Sequence, residues 1–135
     1  MNILLSIKPR FTSKILNGTK RFEFRRSISR KWGNDLRIFI YASAPEKRIV
    51  GYFTPKQIIQ AHPQELWEKC KDYAGIGKDD FFRYFAGKEE GYAIEIAAVK
   101  SFPVPFNPIE LFQPKFSPPQ SYCYLESPVV ERLLN

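Results

Sequence analysis

The chain is poor in the residues that build metal sites and disulfide frameworks. Its 135 residues include one histidine and two cysteines, Cys70 and Cys123, which lie far apart. A structural zinc site needs four such ligands in close pairs, and a disulfide framework needs several cysteines. The sequence therefore predicts neither, and we expect no metal and no cofactor.

Long hydrophobic runs are also missing. The apolar stretch in MNILLSIKPR is too short for a signal peptide, and its charges follow it instead of preceding it. No stretch approaches the roughly 18–20 apolar residues of a membrane span. We therefore expect a soluble, cytoplasmic protein with no membrane partner, whose oligomeric state the sequence leaves open.

Internal repeats, low-complexity tracts and a composition shift that would mark a second domain are absent too. A chain of this length, 44% hydrophobic, is long enough for one core. The expectation is a single domain over residues 1–135.

Positive charge is abundant and concentrated in the first third of the chain. The net charge is +7 overall. Residues 1–48 contain 12 Lys and Arg against three acidic residues, whereas residues 49–135 contain 9 against 11. A localised positive field attracts phosphate groups. This asymmetry favours a phosphate-bearing ligand over a charge that serves solubility alone.

Apolar periodicity predicts a mixture of strands and short helices. Strands are predicted at residues 3–7, 20–26, 36–42, 49–53 with a continuation at 58–61, and 92–99. Helices are predicted from Pro9, from Pro63 with an apolar stripe of Leu66, Trp67, Cys70 and Tyr73, over 78–86, and as one turn at 109–112 after Asn107. Because strands and helices do not alternate regularly, we expect an α+β fold: a mixed β-barrel with short helices packed outside.

One constellation lies at the junction of the first helix and the second strand. Residues 18–25 read G-x-K-x-x-E-x-R, with Gly18, Lys20, Glu23 and Arg25 at the fixed positions. Glu23 and Arg25 are two apart on a strand, so they share a face and either pair or jointly contact a ligand. Arginine presents a planar fork of donors for a phosphate or a base edge. Lys20 is three residues before Glu23, so on a regular strand its side chain would point to the opposite face. It can join the same site only if it lies in the turn before the strand begins.

This motif resembles the signature of the ASCH superfamily, which is related to the PUA domain. The likeness extends over roughly residues 3–125, in LLSIKPRFTSKILNGTKRFEFR, IYASAPEKRIVGYF, PQELWEKC, GYAIEI and PPQSYCYL, which look like segments of small stand-alone ASCH proteins. The resemblance implies a PUA-like β-barrel with a cleft lined by the signature residues. It also implies RNA as the partner, with DNA or a nucleotide as the alternatives.

Some members of the family are enzymes, so the resemblance leaves the question of catalysis open. One branch hydrolyses acetylated cytidine with a lysine placed like Lys20, a threonine where this chain has Glu23, and a glutamate where it has Ala74. Glu68 or Asp72 would have to replace that glutamate. Ribonuclease activity also occurs in the family. In either reaction Lys20 and Glu23 are the candidate catalytic residues.

Three further segments supply candidates for the same cleft. Tyr41 and Ser43 share a strand face, and Tyr41 could stack a base. The loop at 117–122 is stiffened by two prolines and offers Gln120 and Ser121. The remaining candidates extend the positive surface; they are Lys8 after the first strand and Arg26, Arg30 and Lys31 after the second, with Trp32 as a stacking residue only if it is exposed.

The sequence thus supports three hypotheses. The first is RNA binding through a basic cleft built around the motif, with Lys8, Lys20, Glu23, Arg25, Arg26, Tyr41, Ser43, Gln120 and Ser121 as ligand-binding residues. The alternative is a hydrolase that acts on RNA or on a modified nucleoside. The third is an interaction protein that docks through the helical insert at 63–87.

Overall fold

A mixed β-sheet organises the chain, whose computed structural model describes residues 1–33, 35–112 and 116–135. Six strands are found within those residues: β1 (Asn2–Ile7), β2 (Phe22–Arg25), β3 (Arg37–Ala42), β4 (Arg48–Ala61), β5 (Gly91–Phe106) and β6 (Tyr122–Tyr124). Their order in the sheet is β2-β5-β4-β3-β1-β6. The β1–β3 pair is parallel and the other neighbouring pairs are antiparallel. The sheet forms a half-barrel rather than a closed barrel.

The helices are short and connect or cover the strands. In the described part of the chain they are α1 (Pro9–Leu16), α2 (Pro63–Cys70), α3 (Lys78–Tyr84), α4 (Pro108–Leu111) and α5 (Ser127–Leu134), with a 3₁₀ turn at Lys71–Tyr73. Four of the five begin with a proline in their first turn, where the missing N–H costs nothing. The predicted cap of α4 is confirmed, because the Asn107 side chain accepts a hydrogen bond from the Ile109 N–H.

Strand β1 is buried on both faces, which explains its almost uninterrupted apolar sequence. Ile3, Leu5 and Ile7 belong to a core shared with α1 and β3. Leu4 points the other way, into a second core that includes residues of α4 and α5. The end of β1, which leads directly into α1, is therefore held from both sides.

A third core lies between the β2 end of the sheet and the helical segment. Phe24 packs edge-on against Phe81 of α3, with ring centroids 4.9 Å apart. Leu66 and Cys70 of α2 are fully buried in the same cluster. Through this core α2 and α3 pack against the start of β2, where the G-x-K-x-x-E-x-R motif lies.

The predicted strand at 49–53 and its continuation at 58–61 form one strand, β4. Other predictions are corrected by the structure. Strand β5 runs on to Phe106 through two prolines, because its register shift against β4 leaves them without ladder partners. Tyr73 leaves the predicted apolar stripe: α2 ends at Cys70, and the following 3₁₀ turn leaves Tyr73 47% exposed under the Arg21 guanidinium. The sequence analysis gave no element for β6 or α5.

No helix in the described ranges is both long enough and apolar enough to cross a membrane.

Candidate functional site

A cleft of about 400 Å³ opens between the end of β1, the start of α1, β2 and α3. We call it the Lys20 cleft. Its lining contains five cationic side chains and two carboxylates. These are Lys8, Arg10, Lys20, Arg25 and Arg83, with Glu23 and Asp80, beside Ser6, Ile7, Phe11, Phe24, Ile76 and Tyr84. The volume falls in the range of small-molecule sites.

Lys20 lies at the buried wall of this cleft and is only 2% exposed. Its Nζ donates a hydrogen bond of 2.5 Å to the Ala74 carbonyl oxygen. The amine also lies 4.7 Å from the ring centre of Phe24 and 5.1 Å from that of Phe11. Burial lowers the pKa of Lys20 from 10.5 to about 8, with the Lys14 charge adding to the effect and the Glu23 charge opposing it. Close to neutral pH both protonation states of this amine are therefore accessible.

The turn between α1 and β2 places Lys20. Gly18 ends α1 in the left-handed conformation, with φ +84°. The Lys20 N–H donates to the Lys14 carbonyl. Because regular pairing of β2 starts only at Phe22, Lys20 reaches the cleft from the turn, despite the parity that separates it from Glu23.

A second turn, at Gly75 in the helical segment, packs against the Lys20 side chain. Gly75 has φ +67°, and a Cβ there would lie 2.5 Å from the Lys20 Cγ. The Arg21 N–H donates to the Tyr73 carbonyl, which ties the two turns together. The fixed position of the Lys20 amine thus depends on glycine at position 75, which the sequence analysis did not single out.

Glu23 and Arg25 form the polar side of the cleft. The Arg25 Nη1 donates to Glu23 Oε2 at 3.0 Å. Glu23 is 5% exposed. The Arg25 Nη2 donates to Ser121 Oγ at 2.9 Å. The pair therefore does both things that the sequence left open: the side chains bind each other and face the cleft together.

An adjoining cleft of about 320 Å³ holds the candidates from the other segments. It is lined by Ser6, Lys8, Tyr41, Ser43, Ala44, Lys47, Pro118, Pro119 and Gln120. We call it the Tyr41 cleft. Ser6 and Lys8 line both clefts. The candidates expected in one cleft are thus divided between two that share a wall.

Three residues differ from their expected settings, and Trp32 adopts the buried one of the two settings left open for it. Tyr41 is 2% exposed and its ring packs against Phe116, 5.4 Å away, which leaves little ring face for a base. Ser121 lines neither cleft but accepts from Arg25. Arg26 lines neither cleft and donates to the carbonyls of Tyr84, the last residue of α3, and Ala86, which follows that helix. Trp32 is buried against Tyr122 and so anchors the core instead of presenting a stacking surface.

The sequence analysis missed several residues of the Lys20 cleft. Asp80 of α3 lines it and pairs with Arg83 at 2.8 Å and with Arg10 at 3.9 Å. Tyr84, exposed at the end of α3, donates to the Phe24 carbonyl. No spacing rule links α3 to β2, so only the packing of α3 on Phe24 brings these residues to the site.

Neither acidic residue suggested as a substitute for the missing glutamate lines the cleft. Glu68 is exposed and pairs with Lys71 at 3.0 Å, and Asp72 is exposed on the 3₁₀ turn. The described residues contain no cluster of three or more His, Cys, Asp or Glu side chains that could hold a metal ion.

These features define a class: small α+β proteins with a PUA-like half-barrel and a polar cleft beside the turn that precedes β2. The chain is 31% identical over 137 aligned residues to an ASCH domain-containing ribonuclease of Zymomonas mobilis, covering 98% of this chain and 89% of the relative. The protein therefore belongs to the ASCH domain family, and the PUA-like α+β fold expected from the sequence is confirmed.

Solved structures show the same likeness. The crystal structure of the Zymomonas mobilis ASCH protein has a TM-score of 0.89 and 28% identity, covering 98% of this chain and 93% of that one. A serine-to-alanine mutant of that protein has a TM-score of 0.90 with 27% identity, covering 98% and 94%. No family model matches the sequence.

Proposed function

We propose that this protein binds RNA in the Lys20 cleft. The observation that carries the proposal is the charge of the lining, five cationic side chains against two carboxylates. Arg10 and Arg83 both pair with Asp80, and Arg25 pairs with Glu23. Lys8 is exposed and makes no ion pair with a described residue, so its charge is available to a phosphate. Lys20 makes no such ion pair either, but its buried amine donates to the Ala74 carbonyl.

Aromatic groups in the same cleft suit a nucleobase. Phe11 is half-buried and Tyr84 is exposed, and both line the cleft. A base stacked on such a ring gains about 1–3 kcal/mol. The relative from Zymomonas mobilis is named a ribonuclease, which favours RNA over DNA or a free nucleotide as the ligand. A protein with this ligand would work in the cytoplasm.

The test is a fluorescence-anisotropy titration with single-stranded RNA, duplex RNA and duplex DNA at two salt concentrations. We expect salt-sensitive binding that prefers single-stranded RNA. Lys20→Met removes the cleft amine and Arg25→Lys removes the planar fork, and each should weaken binding at least several-fold. Lys100→Ala is the matched control, because Lys100 is exposed and lines neither cleft. Binding that is equal in all four proteins would overturn the assignment of the cleft.

A second candidate function is hydrolysis of RNA, and two observations favour it. The relative is named a ribonuclease, and the Lys20 pKa of about 8 leaves part of the amine neutral near pH 7. A neutral amine accepts a proton from an attacking hydroxyl, and Glu23, held by Arg25 at 3.0 Å, is placed for acid–base work.

Cleavage of a fluorogenic RNA by purified protein tests this candidate. Lys20→Met and Glu23→Gln should each lower the rate at least 100-fold, about what one acid–base group contributes, while Lys100→Ala keeps it. A rate that survives in both cleft variants would mark a contaminating nuclease and leave RNA binding as the function. The deacetylase alternative is not proposed, because Ala74 is aligned with the required glutamate and neither Glu68 nor Asp72 lines the Lys20 cleft.

A further inference from the structure

The Lys20 cleft and the Tyr41 cleft are neighbours separated by a narrow ridge. Ser6 and Lys8 belong to the lining of both. Each cleft, at about 400 and 320 Å³, has the size of a small-molecule site. Neither is large enough to enclose a nucleic-acid duplex, but each can accept one unpaired nucleotide.

The ridge is held rigidly by three hydrogen bonds. The Ser6 Oγ donates to the Pro119 carbonyl at 2.7 Å. The Ser6 N–H donates to the Ser121 carbonyl at 3.0 Å. From the other side, Arg25 donates to the Ser121 hydroxyl at 2.9 Å. The loop after Phe116 is thereby tied to β1 and β2, and the two clefts keep a fixed spacing.

Lys8 provides a positive charge on this ridge. Its carbonyl accepts from the N–H groups of Phe11 and Thr12, so its backbone is fixed at the start of α1. Its side chain is exposed and makes no hydrogen bond or ion pair with a described residue. A fixed backbone with an unengaged ammonium group is suited to a phosphate that passes from one cleft to the other.

Lys47 provides a second unengaged charge, in the Tyr41 cleft. It has φ +54°, a conformation that costs a non-glycine residue about 1–2 kcal/mol. Its side chain is exposed and its ammonium makes no hydrogen bond or ion pair with a described residue, and none of the described residues lining this cleft is acidic. Strained backbone conformations cluster at ligand sites in folded proteins, so the strain and the cleft position together favour a ligand contact for Lys47.

We propose that single-stranded RNA occupies both clefts with two consecutive nucleotides, its linking phosphate lying on the ridge beside Lys8. One base lies in the Lys20 cleft against Phe11 and Tyr84. The next nucleotide lies in the Tyr41 cleft, with its following phosphate near Lys47 and its base edge within reach of Gln120. Unpaired bases are needed for this, because bases in a duplex are stacked and inaccessible. The inference rests on the proposed RNA-binding function.

The test compares 3′-phosphorylated mono-, di- and trinucleotides by calorimetry, with 2′-fluoro riboses that resist cleavage. The 3′-phosphorylated dinucleotide carries both the linking phosphate and the phosphate that follows the second nucleotide. Linking two ligands for adjacent sites raises affinity well beyond either alone. We expect the dinucleotide to bind about tenfold or more tighter than the mononucleotide, and the trinucleotide to add little.

One variant, with a matched control, distinguishes the contribution of the Tyr41 cleft from that of the Lys20 cleft. Lys47→Asn keeps a residue that tolerates positive φ, so it should fold normally, lower dinucleotide affinity several-fold and leave mononucleotide affinity unchanged. Lys100→Ala, which loses the same charge away from the clefts, should leave both unchanged. If the dinucleotide binds no tighter than the mononucleotide, or Lys47→Asn leaves its affinity intact, the two-cleft inference fails and RNA binding stands. If no RNA of any length binds, the proposed function fails as well.

Discussion

Lys20 has the most unusual environment of the residues in the motif. Its ammonium group is buried at the base of the cleft, against two aromatic rings and one carbonyl. Burial without a direct ion pair makes the charged form costly, and this cost lowers the pKa to about 8. The same cost makes the stability of the fold depend on pH in a window that can be worked out.

We predict that Lys20→Met removes the part of the pH dependence of the unfolding free energy that comes from titration of Lys20. Below pH 8 Lys20 is protonated in both states, so the folded protein bears the full cost of burial. Between pH 8 and 10.5 the folded state releases the proton while the unfolded state keeps it, so stability rises with pH. The shift from 10.5 to about 8 corresponds to about 3 kcal/mol.

The measurement is urea unfolding at pH 7 and pH 10. The wild type should gain about 2–3 kcal/mol relative to Lys20→Met between the two pH values. Lys100→Met is the control for an exposed lysine and should follow the wild type. Parallel pH profiles of wild type and Lys20→Met would show that Lys20 titrates normally.

Gly75 is a second residue that matters individually, because it determines where the Lys20 side chain lies. We predict that Gly75→Ala destabilises the protein by about 1–3 kcal/mol, through a strained positive φ and a clash with the Lys20 side chain. It should also weaken RNA binding, since the amine must move. Gly77→Ala is the matched control, because nothing lies within 4 Å of the added Cβ and its φ is −70°. Thermal unfolding and anisotropy measure both effects; equal losses in the two variants would contradict the role given to Gly75.

At the scale of elements, the position of α3 decides the shape of the cleft. The helix has only seven residues, too few to be stable alone. Phe81 and Phe85 anchor it in the core with Phe24. Arg26 donates to the carbonyls of Tyr84, at the end of the last turn, and of Ala86, two residues later.

We predict that Arg26→Ala loosens the end of α3, and with it Tyr84, while the charge of the cleft stays as it was. The expected cost is about 1 kcal/mol of stability, together with faster hydrogen exchange confined to residues 81–88. RNA binding should weaken no more than about twofold, the loss expected for a residue outside the cleft. A large loss of binding with unchanged exchange would return Arg26 to the direct ligand contacts expected from the sequence.

At the scale of the whole molecule, the fold brings cationic side chains from the lysine- and arginine-rich first third of the chain together at the Lys20 cleft. Lys8, Lys20 and Arg25 from that third are joined in the cleft by Arg83 from α3. Elsewhere the acids of the later segments neutralise surface charge, as in the Lys69–Glu65 and Lys71–Glu68 pairs.

The salt dependence of RNA binding should report this concentration of charge. Each phosphate neutralised on a single strand contributes about −0.7 to the slope of log affinity against log salt. We predict that Lys8→Ala makes the slope shallower by about 0.7 and that Lys100→Ala leaves it unchanged. Identical slopes in wild type and Lys8→Ala would show that Lys8 does not contact a phosphate.

Local rules were sufficient for much of the fold. Proline in the first turn predicts the starts of α1, α2 and α4, and period-two alternation predicts that Phe22 and Phe24 face the core while Glu23 and Arg25 do not. These features depend on neighbours within a few residues, so the sequence shows them directly. The two missed elements, β6 and α5, have three and eight residues, and they are stabilised by contacts with β1 and with the core around Leu4 rather than by their own pattern.

By itself the sequence determined the family likeness, the α+β class and the shared strand face of Glu23 and Arg25, because each follows from residues close together in the chain. Only the tertiary structure decided which residues share a cleft. It left Arg26 outside both clefts, buried Tyr41 and Trp32, and brought Asp80 and Tyr84 to Lys20. It also placed Gly75 against the Lys20 side chain and placed Lys8 in the lining of both clefts. These arrangements join segments separated by tens of residues, and the packing of helices on the sheet fixes them without leaving a local pattern in the sequence.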